Sequence, residues 1–96
     1  SKFGTLFYEP TTPVILLDYA TVEFLLAEAA ERNIAGITDA EEHYNKAIRA
    51  SFEYYGLGDE ADAYLAKPEV AYTTATGTWR EKIGMQKFYI RTKLGA

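Results

Sequence analysis

The chain has a single histidine, His43, and Asp39 lies four residues before it, a spacing that puts both on one face of a helix. A zinc or similar site needs three or more ligands in fixed geometry. No third ligand with matching spacing accompanies the pair, so His43 is expected to be a surface helix residue, with no metal and no catalytic role. Glu41 with Glu42, and Asp59, Glu60 and Asp62, supply the acids that glycoside cleavage would need. Each group falls at a helix start, where negative charge is favoured by the free backbone amides. We therefore expect no catalytic residue and no enzyme. Gly56-Leu57-Gly58 lacks the Lys-Ser/Thr ending of a phosphate loop. Cysteine is absent, which removes thiolate chemistry, disulfides and Cys-based metal sites.

Aromatic rings are the remaining chemical resource, at 15% of the chain with one Trp. Ring faces pack on the C–H faces of sugars while hydroxyls take polar partners. Tyr44, Phe52 and Tyr55 keep helical spacing and are expected in a core. Tyr64 and Tyr72 lie near loops and are the better exposed candidates for sugar binding; Trp79, at a helix start, is the third candidate and an expected packing anchor.

These residues need helices to position them. Residues 1–13, with Gly4, Pro10 and Pro13, read as an extended entry, and Val14–Leu17 as a short apolar run that lies extended on the core. A helical hairpin is expected over 18–56. Its first helix starts at Asp18 and buries Val22, Leu25, Leu26 and Ala29, leaving Glu23, Glu28, Glu31 and Arg32 outward. Asn33 or Gly36 ends it in a left-handed turn. Thr38 and Glu41 match a capping box for the second helix, which carries Tyr44, Ala47, Ile48, Ser51, Phe52 and Tyr55 on one face and stops at Gly56. A short helix over 59–67 starts at Asp59 and stops before Pro68; 69–77 is a loop. A C-terminal helix over 78–93 opens with a second capping box, Thr78 and Glu81, and carries Trp79, Ile83, Gln86 and Ile90 on one side. Gly84 in its middle suggests close approach by another helix. The fold class is all-α, and the hairpin resembles a tetratricopeptide repeat, with Ala27 and Ala40 at the crossing.

The net charge of −4 is uneven: residues 1–78 hold −8 and residues 79–96 hold +4. An acidic body argues against nucleic acid, whose binding rests on neutralising phosphates. The basic end reads as one solvated helix face. No apolar run is long enough to span a membrane as a helix, and no leader is visible.

Three strings carry a more specific resemblance. Tyr19-Ala20-Thr21-Val22-Glu23-Phe24-Leu25-Leu26-Ala27-Glu28-Ala29-Ala30 is similar to the pattern YAEVEFLLAEAA of the SusD/RagB family. Ala47-Ile48-Arg49-Ala50-Ser51-Phe52-Glu53-Tyr54-Tyr55-Gly56 is similar to its GIRASMEYYG, and Tyr64-Leu65-Ala66 followed by Trp79-Arg80-Glu81-Lys82-Ile83 and Gln86-Lys87 to its YLA and WREKI..QK. The resemblance spans roughly residues 13–89 and departs after Lys87. Family members are several times longer, so the chain is expected to be one helical piece of the C-terminal part of a larger SusD-like fold. The resemblance implies a surface lipoprotein of the outer membrane that binds starch or oligosaccharide without cleaving it. It also implies a SusC-type TonB-dependent transporter as partner, no cofactor, no nucleic acid, and a lipid anchor outside this chain. The other function class left open by the residues is a generic helical-repeat module for protein–protein interaction.

Overall fold

A computed structural model describes residues 13–95, with side chains from Leu16 onward. The described residues are helical, with turns and no strand: α1 (Pro13–Glu31), α2 (Ala40–Tyr54), α3 (Ala61–Leu65) and α4 (Trp79–Tyr89). A 3₁₀ turn, Gly58–Glu60, leads into α3, and α4 continues as a wider π turn over Ile90–Leu94. The molecule is a slab of 39 × 36 × 19 Å. A thickness near two helix diameters leaves room for one shared core and no inner layer.

α1 starts at Pro13, five residues ahead of Asp18, and its backbone takes in the run Val14–Leu17 that was expected to be extended. Proline suits a first helical turn, because its φ is preset and its missing N–H is one that the helix leaves free. The rest of the expected extended entry lies outside the described residues. The buried face of α1 is also displaced. Ala20, Glu23, Phe24 and Ala27 are buried, whereas Val22 and Leu25 stand 50% and 55% exposed. α1 is apolar around most of its circumference, so a period of 3.6 fits two faces equally well. The face carrying two alanines turns inward, which lets α2 come close. Asn33 then closes the helix in the left-handed conformation, with φ 57°. Its N–H donates to the Ala30 carbonyl and that of Ile34 to the Ala29 carbonyl at 3.0 Å, the paired bonds of a Schellman ending.

α2 runs back along α1. Its capping box does not form: Asp39 is the N-cap, in a left-handed conformation (φ 64°), with no side-chain cap bond. The helix therefore starts one residue later than Thr38 requires, and the hydroxyl loses its register with the Glu41 amide. The buried face is the expected one at Tyr44, Ala47, Ile48, Ser51 and Phe52, but Tyr55, also expected in the core, falls just past the helix end and is exposed. Gly56, at φ 73°, repeats the Schellman ending, with its N–H on Glu53 and that of Leu57 on Phe52 at 2.7 Å.

Beyond α2, Asp59 does not cap α3 but sits within the 3₁₀ turn before it. The loop from 66 to 78 turns repeatedly and drops Val70 and Tyr72 into the core. The second capping box forms as expected: Glu81 N–H donates to Thr78 Oγ1 at 3.3 Å, and Thr78 N–H to Glu81 Oε1 at 2.8 Å. α4 buries Ile83, Gln86 and, in its π turn, Ile90. Gly84 faces open space, for a Cβ there would meet nothing within 4 Å. The expected close approach of another helix at Gly84 is not seen among the described residues.

Candidate functional site

Between the 67–77 loop and α4 lies a groove of about 650 Å³, within the range of ligand pockets. α4 supplies one wall, because its capping box fixes the first turn and sets Glu81, Lys82, Met85 and Gln86 along that side. The loop supplies the other, with Lys67, Glu69 and Thr76. The floor is aromatic. Tyr64 stacks on Tyr89 with ring centroids 5.1 Å apart and tilts against Phe52 at 4.9 Å.

Gln86 is the polar centre of the floor. It is buried, and its Oε1 accepts the Tyr64 hydroxyl at 2.5 Å. The Tyr44 hydroxyl donates to the Val70 carbonyl at 2.7 Å, which ties the loop to α2. Burial pushes the Tyr44 and Tyr64 hydroxyls up to about 12. Both therefore remain neutral donors at any ordinary pH. Tyr72 is also raised, by burial first and then by the Glu31 carboxylate that accepts its hydroxyl.

The three aromatic candidates do not converge. Tyr64 lies in the groove floor but is buried, its hydroxyl already bonded. Tyr72 is buried behind Lys82, whose Nζ sits 4.8 Å over the ring and donates to the Tyr72 carbonyl at 2.7 Å. The expectation that Tyr64 and Tyr72 are exposed is thus overturned, because the loop folds inward rather than standing off the surface. Trp79 is half-buried on another side of α4, beside a smaller hollow of about 240 Å³, with Arg80 and Arg32 against its ring.

His43 meets neither Asp39's carboxylate nor a metal cluster. Its Nδ1 lies 2.6 Å from Glu23 Oε1, across the α1–α2 contact. No group of three or more potential metal ligands occurs among the described residues. Two of the five candidate acids are paired, Glu42 with Lys46 at 3.3 Å and Asp62 with Arg49 at 2.9 Å. Sequence reasoning put Gln86 on the side of α4 that carries Ile83 and Ile90, which is the side the structure buries, but it missed the place of Glu23. The available signal was a polar residue at apolar spacing, three residues from Ala20 and four from Ala27.

The groove joins ring faces to amide, hydroxyl, carboxylate and ammonium groups, a lining suited to a ligand that is apolar on its faces and polar at its rim. No described helix is long and apolar enough to cross a membrane. Comparison with curated proteins and with solved structures gives no match. Residues 1–91 match the SusD-like family, described as starch-binding and associating with the outer membrane. On that match, covering most of its length, the chain belongs to the SusD-like family of starch-binding, outer-membrane-associated proteins.

Proposed function

We propose that this chain is a helical part of a surface lipoprotein that captures oligosaccharide without cleaving it and passes it to a SusC-type TonB-dependent transporter. The family match over residues 1–91 carries this reading. The groove beside α4 supports it as the place where sugar is held, with Met85 and Thr76 at the rim and Gln86 in the floor. In this reading the lipid anchor lies outside the chain, and the parent protein sits at the cell surface. Tyr64, Tyr72 and Trp79 act differently: Tyr64 lines the groove floor, Tyr72 lies outside its lining and packs on Tyr44, and Trp79 serves the second hollow.

The exposed apolar side chains Leu17, Val22 and Leu25 of α1, with Met85 and Phe88 of α4, favour a protein contact as well. Within the proposal that contact is made by the transporter. Taken without the groove, it is the generic interaction module. Affinity electrophoresis of the full-length protein through starch-containing gels separates the two. Retardation by starch, reduced by Thr76→Val with Lys67→Ala, is expected. Unchanged mobility in every polysaccharide tested, with copurification of a protein partner, would favour the interaction module alone.

A further inference from the structure

Two guanidiniums gather on one indole. Arg32, just past the end of α1, has its Cζ 5.9 Å from the Trp79 ring centroid, and Arg80, in the first turn of α4, has its own at 4.6 Å. Neither arginine forms an ion pair among the described residues. The carboxylates that the chain sets near them are already engaged. Glu28, four residues before Arg32, binds Lys87 at 3.1 Å instead. Glu31 accepts the Tyr72 hydroxyl, and Glu81 accepts the Thr78 amide at 2.8 Å. Two like charges sharing one ring lie near or within a screening length of about 8–10 Å, so their repulsion is only partly damped by salt. An anion bound by both offsets it.

The surroundings fit a sugar that carries such an anion. A guanidinium offers a planar fork of donors that matches a carboxylate. Trp79, Arg80, Ile83, Gly84 and Lys87 line the 240 Å³ hollow together with Glu28, whose carboxylate Lys87 holds, and Arg32 stands outside that lining, against the Trp79 ring. Gly84 leaves the helix backbone bare there, with nothing within 4 Å of where a Cβ would stand. At ~30 Å³ per water the hollow equals roughly eight waters, a space on the scale of one sugar ring. Lys87 is offset by Glu28, and the next cation along this end is Arg91 in the π turn, 5.9 Å from the exposed Phe88 ring. Residues 79–96 hold +4 on a chain whose other residues hold −8. That acidic body disfavours an anionic bilayer as the ligand, since a flat surface would meet it too.

We propose that Arg32 and Arg80, held against Trp79, clasp the carboxylate of an acidic sugar, so that the glycans taken up include uronate-bearing chains. The proposal rests on the glycan-binding reading above and adds a ligand class and a second site to it.

Trp79 is the only tryptophan, so its emission reports this site directly. The full chain is titrated with trigalacturonate, maltotriose, sodium sulfate and vesicles of anionic phospholipid, with maltotriose also followed by calorimetry. Trigalacturonate is expected to shift Trp79 emission saturably. In R32Q/R80Q it should bind at least tenfold more weakly with the circular dichroism unchanged, while Lys93→Gln stays within twofold of the parent. Maltotriose should give heat without moving Trp79 emission, and its binding should survive R32Q/R80Q. If maltotriose binds and trigalacturonate leaves Trp79 unmoved, the acidic-sugar site is wrong and the glycan reading stands. If trigalacturonate binds through the arginines and maltotriose does not bind, the site stands and the neutral groove falls. Equal binding of free sulfate would reduce the pair to a simple anion site, and a response to vesicles alone would assign it to a membrane surface; either result overturns the proposal.

Discussion

The side chain that most changes the picture of this chain is Glu23. By spacing it belonged with the outward acids of α1, yet it is 6% exposed and holds His43 across the helix contact at 2.6 Å. Nothing local distinguishes it from Glu28; only the choice of face for α1 decides, and that choice is made by α2. The Tyr19 hydroxyl also bonds Glu23, so removing His43 takes away one of two partners of a buried carboxylate and leaves part of its desolvation cost unmatched. His43→Ala should therefore lower unfolding free energy by about 1–3 kcal/mol, while Glu41→Ala on the exposed side of α2 should stay within ~0.5 kcal/mol, both measured by chemical denaturation. The buried tyrosines make a second prediction at this scale. Tyr44 and Tyr64 are raised to about 12 and Tyr72 is raised too. In the folded state they hold their protons more tightly than in the unfolded chain, whose tyrosines titrate near 10. Their contribution is full below about pH 10 and is lost as pH rises toward 12. Tyrosinate absorbance should rise in two steps, the later one coinciding with loss of helical dichroism. A single step near the ordinary value, with the helix intact, would contradict the burial of these three rings.

Elements were legible where one signal had one reading. α2 shows its face plainly because apolar and charged residues divide cleanly around it, and Gly56 ends it where a left-handed turn is needed. α1 did not, since its apolar residues fill more than one face. The two Thr-x-x-Glu patterns teach the same lesson. Around Thr78 the box forms; around Thr38 the chain enters α2 through a left-handed Asp39 and the box is lost. Thr78→Ala should consequently cost ~1 kcal/mol, and Thr38→Ala little, as thermal unfolding of the pair would show. The candidate site was less legible than the helices, because it depends on how the 67–77 loop folds back, and no periodicity encodes that. The tetratricopeptide-like crossing remains our proposal, supported by the full burial of Ala27 and the packing of Ala40 against the core. Ala40→Leu should overpack that contact and cost ~1–3 kcal/mol. Asp18→Leu, on an exposed part of α1, is the control. Glu31, once expected to face outward, cannot serve, since it accepts the Tyr72 hydroxyl. Equal melting temperatures for the two variants would remove the crossing at Ala40.

At the scale of the whole molecule, the chain is a slab 19 Å thick with apolar side chains left outside. One edge offers the groove between the loop and α4, and another offers the arginine pair on Trp79. The chain belongs to a starch-binding family, and our proposal puts the glycan in the groove. Hydrogen exchange of the full-length protein with and without maltoheptaose tests this most directly, because it locates the ligand as well as detecting it. Sugar held in the groove should slow exchange of the 67–77 loop and the first turns of α4, leaving the 32–39 connection unchanged. Protection confined to that connection, or no protection under conditions where starch retards the protein in a gel, would contradict a glycan site beside α4.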